Sequence, residues 1–241
     1  MTGPGATLVL VHGAWHGSWC WERLLPQLAE RGIAARTVDL PSVAHRAGQR
    51  EAGLRDDAAA VREVVDSIAG PVVLCGHSYG GMVISLAGSG PASDPTSGPA
   101  SRVSGLIYLC AFMPEARQSL VGVGGDQHAP WIRTLDDGMT LPDLALAGEV
   151  LYGDCDRATR ESAIARLKPQ CSGAFTAPVA RPAWKSIPST YIVCARDGAL
   201  PPQLQRTLFA PRAGRSLELD ASHSPFLSQP AALAGALASC L

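Results

Sequence analysis

The sequence lacks an excess of charge of either sign. Its 241 residues include 20 Lys and Arg against 21 Asp and Glu, which gives a formal net charge of -1 at pH 7. Proteins that bind nucleic acid or an anionic membrane surface through charge present a basic patch or stripe. We therefore expect neither nucleic acid nor a membrane as a partner. Lysine occurs only at Lys168 and Lys185, and this bias towards Arg favours a GC-rich bacterial source.

Long hydrophobic runs are also missing. No stretch approaches the ~18 apolar residues that a transmembrane helix needs. The first apolar run, Leu8 to Val11, is too short for a signal peptide, and no basic region precedes it. We therefore expect a cytoplasmic protein.

The seven cysteines lack the spacing of a disulfide framework or a metal site. Their number is odd, and no two of them form a C-x-x-C pair. Cys75, Cys110 and Cys194 lie in apolar, strand-like runs, which favours buried thiols over disulfides. Because the histidines also lack metal-ligand spacing, the sequence predicts no metal and no cofactor.

The chain does contain a Gly-flanked serine between an apolar run and a segment with helical potential. Gly76-His77-Ser78-Tyr79-Gly80 fits G-x-S-x-G, the pattern of the nucleophile elbow. Such a turn exposes the serine hydroxyl, and it needs glycines where the strand and the helix pass close together. The pentapeptide alone would equally describe a Gly-rich turn. The strand-like residues before it and the helical residues after it favour the elbow.

Apolar runs and helical patterns alternate along most of the chain. The predicted strands are 6–11, 33–40, 71–75, 103–112, 190–194 and 216–219. The predicted helices are 19–31, 54–69, the segment after the elbow, 157–167, 202–209 and 230–240, with Ser18 as the first N-cap and Gly32 as its stop. This spacing predicts an α/β fold with a mostly parallel sheet and helices on both faces.

The alternation lapses between residues 113 and 186. We interpret 113–186 as a cap inserted into an α/β core made of 1–112 and 187–241, with the two parts forming a single functional domain. Ligands of such sheets bind at the carboxyl ends of the strands, where the cap would lie.

Several segments, in the right order, resemble the α/β-hydrolase fold. They are residues 11–21 (VHGAWHGSWCW), 76–81 (GHSYGG), 152–155 (YGDC), 191–202 and 222–225 (SHSP). Within this fold the chain is most similar to small esterases related to plant methylesterases and hydroxynitrile lyases, and to their bacterial counterparts. The similarity spans nearly the whole chain, and it implies ester hydrolysis at a site under a cap.

Ser78 is the predicted nucleophile, and a serine hydroxyl needs a general base at neutral pH. His223 follows the last predicted strand in a short polar turn, where this fold delivers its base. An ordinary turn histidine is the alternative reading. The other histidines fit less well: His12 and His16 flank the loop after the first strand, His77 should point away from the serine, and His45 and His128 fall in surface or cap segments.

Asp197 is the predicted acid that orients the base. It lies just after the strand 190–194, and the order Ser, Asp, His is the one found in this fold. It could instead be a turn residue before Gly198. Asp220 is the rival carboxylate, but it lies very near His223 in sequence.

Two backbone N–H groups are the predicted oxyanion donors. They belong to Tyr79, which follows the nucleophile, and to Ala14, in the loop after the first strand. The family resemblance implies the same pair. One such donor is typically worth ~3 kcal/mol of transition-state stabilisation.

These residues together predict a carboxylesterase that cleaves an ester of a small or medium apolar molecule through an acyl-enzyme. The expected partner is a small-molecule ester, and a homodimer stays open. Aromatic side chains could line the acyl pocket, although each could equally pack in the cap's own core; they are Trp15, Trp131, Tyr152, Phe175 and Trp184.

Other activities of the fold are alternatives. The related plant lyases have a lysine directly after the base histidine and a threonine after the first-loop histidine, where this chain has Ser224 and Gly13. Both differences favour hydrolysis. Epoxide hydrolases need a carboxylate nucleophile, which Ser78 excludes. A ligand-binding receptor, or a cyclase of bacterial secondary metabolism, remains an alternative.

Overall fold

The computed structural model describes residues 5–43, 52–89, 102–123 and 129–241. His45 and His128, which were predicted to lie in surface or cap segments, fall outside these ranges.

In the described ranges, six parallel strands form the central sheet. They are β1 (Thr7–Val11), β2 (Ala35–Val38), β3 (Val72–His77), β4 (Val103–Leu109), β8 (Ser189–Cys194) and β9 (Arg215–Leu219). Their order across the sheet is β2-β1-β3-β4-β8-β9. Each of them overlaps a strand predicted from the sequence, so the parallel α/β sheet is confirmed.

Helices flank this sheet, and further helices lie in the described part of the segment between β4 and β8. The α-helices are α1 (Leu24–Ala29), α2 (Leu54–Asp66), α3 (Gly80–Ala87), α4 (Leu120–Val123), α5 (Leu144–Val150), α6 (Arg157–Ile164), α7 (Gly173–Thr176), α8 (Pro202–Leu204), α9 (Pro225–Ser228) and α10 (Pro230–Ala238). Turns of 3₁₀-helix occur at Ser18–Trp21, Ala183–Lys185 and Ala210–Arg212, and a π-helix occurs at Gln205–Phe209. In the described ranges, no helix combines the length and the apolarity needed to cross a bilayer.

The segment 113–186 contains a second, antiparallel sheet that the sequence did not predict. Its strands are β5 (Ile132–Thr134), β6 (Met139–Pro142) and β7 (Gln170–Cys171). Strands of two to four residues are too short to show an alternating pattern. The one helix predicted here, 157–167, is α6.

The first predicted helix, 19–31, is broken in two. Ser18 begins a 3₁₀ turn instead of capping an α-helix, and its amide and hydroxyl both donate to Asp39, at 2.7 and 3.0 Å. These bonds tie the loop after β1 to the end of β2. The predicted stop is confirmed, since Gly32 has a φ of 69°, a conformation that favours glycine.

The core lies on both faces of the sheet. Alternate residues of β1 belong to two different apolar clusters, with Val9 and Val11 in one and Leu8 and Leu10 in the other. This explains the continuous apolar run, because a parallel strand covered on both faces has no polar side. Cys75, Cys110 and Cys194 are buried free thiols, as predicted.

Candidate active site

Ser78 lies on a sharp turn between β3 and α3. Its φ is 51°, in the left-handed region that residues other than glycine rarely adopt. A Cβ on Gly76 would lie 2.4 Å from the Gly80 carbonyl oxygen, and a Cβ on Gly80 would lie 2.5 Å from that of Val11. Only glycine fits at either position, as the elbow pattern requires.

His223 and Asp197 form a buried hydrogen-bonded pair. The His223 Nδ1 donates to Asp197 Oδ2 at 2.7 Å. The other carboxylate oxygen accepts the amides of Ala199 and Leu200, both at 2.8 Å, and the Gln205 side-chain amide donates to Oδ2 at 2.9 Å. With its proton fixed on Nδ1, the neutral imidazole has an unprotonated Nε2, as a general base requires.

Asp220, the rival acid, has a different environment. Its side chain is 84% exposed, and its carboxylate pairs with the guanidinium of Arg196 at 2.8 Å. The structure therefore brings Asp197, rather than Asp220, into contact with His223.

A single cavity of about 170 Å³ is lined by both Ser78 and His223. Ala14 and Tyr79, the residues predicted to carry the oxyanion donors, also line it. The rest of its wall is mainly apolar and includes Trp15, Phe112, Leu120, Val123, Trp131, Ile132, Leu151, Phe175, Leu200 and Leu204.

Two of the five aromatic residues predicted for the pocket lie elsewhere. Tyr152 is fully buried, and its hydroxyl donates to His16 Nε2 at 2.8 Å. The Trp184 indole donates to the Pro114 carbonyl oxygen at 2.7 Å. A tyrosine or tryptophan takes its orientation from the partner of its polar atom, which residue type alone does not reveal.

His77 is fully buried beside the ring of His223. The residue is among those that line the cavity, its ring lies 4.6 Å from the ring of His223, and its Nε2 donates to the His223 carbonyl oxygen at 2.9 Å. Burial holds the pKa of His77 well below its usual value, so the ring stays neutral.

Hydrogen bonds from several parts of the chain hold the loop that carries Ala14. The His16 Nδ1 donates to the Ala14 carbonyl oxygen at 2.7 Å, which leaves its Nε2 to accept from Tyr152. Burial lowers the pKa of His16 to about 3, so this ring is neutral as well. The Trp15 amide donates to Gln170 Oε1 at 3.0 Å.

Tyr79 is held by a buried carboxylate on α2. Its hydroxyl donates to Asp57 Oδ2 at 2.6 Å, and Ser42 donates its amide and its hydroxyl to the same carboxylate at 2.8 and 2.6 Å. Asp57 is fully buried, and this burial raises its pKa to about 6.

Comparison with known proteins settles the family. A family model described as the alpha/beta hydrolase family matches residues 8–236. The protein belongs to the alpha/beta hydrolase family.

The relatives of this hydrolase include esterases. It is 27% identical over 230 residues to the alpha/beta hydrolase nvfD of Aspergillus novofumigatus, covering 92% of this chain and 91% of the relative. It is 29% identical over 253 residues to methylesterase 7 of Arabidopsis thaliana, covering 95% and 94%. A solved pyrethroid hydrolase from Sphingobium faniae superposes with a TM-score of 0.80 at 26% identity, covering 97% and 96%. The resemblance stated from the sequence is confirmed.

One cluster of metal-type ligands occurs among the described residues of the hydrolase. The ligand atoms of His77, Cys110 and His223 lie within 4.8 Å of one another. The His77 Nε2 and the His223 Nδ1 already donate hydrogen bonds, which leaves one nitrogen on each ring. Burial raises the pKa of Cys110, so the thiol keeps its proton and is a poor metal ligand. The cluster therefore offers only two good ligand atoms, fewer than the three protein ligands of a catalytic zinc site.

The residues that hold the segments carrying Ala14 and Tyr79 were not predicted from the sequence. Asp57 lies within an amphipathic helical pattern, and Gln170 in a segment read as irregular. A polar residue at a buried position of α2 was the one available signal, because buried carboxylates need hydrogen-bond partners.

Proposed function

We propose that this protein is a carboxylesterase-type serine hydrolase in which Ser78, His223 and Asp197 form a catalytic triad. The observation that carries the proposal is the buried 2.7 Å bond between His223 and Asp197 at a cavity that Ser78 also lines. The esterase relatives support the same reaction class.

In this mechanism Ser78 Oγ attacks the ester carbonyl while His223 Nε2 takes its proton. The Ala14 and Tyr79 amides hold the oxyanion, and His223 then protonates the leaving alcohol. Water, activated by the same imidazole, releases the acid from the acyl-enzyme. Asp197 stabilises the imidazolium that forms in each half-reaction.

The substrate we propose is an uncharged ester with apolar groups. The described residues that line the cavity include no Asp, Glu, Lys or Arg side chain. A charged group on the substrate would lose its hydration there without gaining a counter-ion. The segment 113–186 supplies Leu120, Trp131 and Phe175 to the wall, and we propose that it acts as the cap over the site.

A cyanohydrin lyase is disfavoured by the space around Gly13. A Cβ at this position would lie 2.7 Å from His77 Nδ1 and 3.0 Å from Ser78 Cβ. The threonine of the related lyases would therefore require His77 to move or to be replaced. Ser224, where those lyases have a lysine, is fully buried and supplies no cation.

Turnover of p-nitrophenyl acetate tests the proposed function. We expect many product equivalents per protein, and no turnover by Ser78→Ala at an unchanged melting temperature. Release of at most one equivalent by the wild type would indicate a receptor, and activity retained in Ser78→Ala would refute the assigned nucleophile.

The choice of substrate is tested with a pair of esters of similar length. We expect kcat/KM for p-nitrophenyl butyrate to exceed that for mono-p-nitrophenyl succinate by about tenfold or more, because the second acyl group carries a charge. Equal values would contradict the proposed preference for uncharged esters.

A further inference from the structure

A series of hydrogen bonds ends at the Asp57 carboxylate, and in each of them the acceptor is the partner nearer to Asp57. The Trp15 amide donates to Gln170 Oε1 at 3.0 Å, and Gln170 Nε2 donates to Ser42 Oγ at 2.8 Å. The Ser42 hydroxyl then donates to Asp57 Oδ2 at 2.6 Å. From the other side, the Tyr79 hydroxyl donates to the same oxygen at 2.6 Å.

These bonds join the two segments that carry the oxyanion donors. Tyr79 itself supplies one donor, and Trp15 directly follows Ala14, which supplies the other. Trp15 has a φ of 61°, a strained conformation that persists only where surrounding contacts hold it. Its indole is also fixed, since Nε1 donates to Thr140 Oγ1 at 3.2 Å.

The chemistry of this end point requires a carboxylate. Oδ1 accepts the Ser42 amide and Oδ2 accepts two hydroxyls, so Asp57 has to accept at both oxygens. An amide would present an N–H group to one of these donors. Burying a carboxylate is costly, and a well-packed apolar group is often as stable or more stable. Stability alone is thus a weak reason for a carboxylate at this position.

We propose that Asp57 is a positioning residue for the oxyanion hole, which it sets through Tyr79 on one side and through Ser42, Gln170 and Trp15 on the other. The proposal rests on the proposed esterase function. Asp57 does not line the cavity, so it acts through these partners rather than on the substrate. Polarised chains of this kind strengthen each bond in a low-dielectric interior.

Breaking the hydrogen bonds that end at Asp57 should weaken stabilisation of the transition state more than binding of the substrate. An oxyanion hole holds charge that develops as the reaction proceeds, so misplaced donors lower kcat and leave KM nearly unchanged. They should also weaken the binding of a tetrahedral adduct that carries a negative charge.

Tyr79→Phe is the direct test, because it removes one hydroxyl and keeps the backbone donor. Tyr108→Phe is the matched control: Tyr108 is also fully buried in the same core cluster, and its hydroxyl bonds to Ser85 Oγ at 2.7 Å, away from the cavity lining. The measurements are kcat and KM for p-nitrophenyl acetate, the inhibition constant of phenylboronic acid, and the melting temperature.

We expect kcat of Tyr79→Phe to fall about tenfold or more, with KM within twofold of the wild type and weaker inhibition by phenylboronic acid. Tyr108→Phe should lose a similar amount of thermal stability and keep the wild-type kcat. Equal kcat losses in the two variants, or a wild-type kcat in Tyr79→Phe, would overturn the proposal.

The hydrogen bonds that reach Asp57 form two arms, one from Tyr79 and a second from Trp15 through Gln170 and Ser42. The second arm is tested with Gln170→Met, which removes the link between Trp15 and Ser42 at nearly constant volume. We expect a similar fall in kcat, and a double variant with Tyr79→Phe whose losses are not additive, because both arms meet at Asp57. A wild-type kcat in Gln170→Met would contradict this arm. Failure of the esterase function itself would show differently, as a wild type without turnover or an active Ser78→Ala.

Discussion

The Asp197 side chain is held in place by hydrogen bonds to both of its carboxylate oxygens. Both of its oxygens accept hydrogen bonds, and His223 is one of several donors. Asp197→Asn should therefore keep the fold but favour the wrong imidazole tautomer, which in a triad lowers kcat by about 10⁴. Asp220→Asn is the control, since that carboxylate is exposed and paired with Arg196. Rates of p-nitrophenyl acetate hydrolysis compare the two, and the opposite ranking would reassign the acid.

Asp57 gives a prediction about pH. Burial raises its pKa from 3.8 to about 6, so the folded state binds a proton that the unfolded state releases between these values. The resulting contribution favours folding at low pH and is lost as the pH rises through 6. The difference corresponds to about 3 kcal/mol in the free energy of unfolding.

Asp57→Asn lacks this titration. We expect the stability of the wild type relative to this variant to fall as the pH rises from 4 to 7, as measured by urea denaturation at each pH. A difference that stays constant, or that grows with pH, would contradict the assignment of a raised pKa to Asp57.

At the scale of elements, the elbow depends on close approach of β3, α3 and β1. Gly76→Ala would force a Cβ to within 2.4 Å of the Gly80 carbonyl oxygen, and we expect a loss of about 3 kcal/mol or more in unfolding free energy. Gly235→Ala, in α10, is the matched control because its Cβ would meet nothing within 4 Å. It should stabilise the protein by about 0.5–1 kcal/mol. Equal effects in thermal melts would argue against close packing at the elbow.

The elements that the sequence predicted best are those with local signals. The elbow needs glycine at 76 and 80, and a strand buried on both faces produces a continuous apolar run, so both are visible in a few residues. The partners of Asp57 could not be predicted in this way. Ser42 and Gln170 are 128 residues apart in the chain, and only the packing of the segment 113–186 on the core brings them together.

The orientations of the side chains around the site were equally hard to predict from the sequence. The ring of His77 lies 4.6 Å from that of His223, a contact that the sequence did not predict. Tyr152 was expected in the pocket, but it does not line the cavity and its hydroxyl binds His16. Residue type predicts that an aromatic ring will be buried, whereas its direction depends on a distant hydrogen-bond partner.

At the scale of the whole molecule, the segment 113–186 is locked to the turn that carries His223. Asp154, from this segment, accepts the Ser222 amide at 3.0 Å and the Ser222 hydroxyl, and Gln229 donates to it at 3.2 Å. Partial burial opposes ionisation of this carboxyl, but the hydrogen bonds from Ser222 prevail and hold its pKa below the usual value. The interaction therefore stabilises the fold at neutral pH and is lost as the carboxyl is protonated in acid.

Asp154→Asn should lower the free energy of unfolding by about 1–2 kcal/mol at pH 7. The difference from the wild type should shrink as the pH is lowered towards 3, which is opposite in sign to the effect expected for Asp57. Denaturation of both proteins across this pH range measures it. A difference independent of pH would show that the carboxylate charge does not hold the two regions together.

The central claim is that Ser78 is the activated nucleophile of this hydrolase. It is tested most directly by incubating the protein with a fluorophosphonate and locating the adduct by peptide mass spectrometry. The account predicts one equivalent of label on Ser78 in the wild type and almost none in His223→Ala. Label on a different residue, or equal labelling of Ser78 without His223, would contradict it.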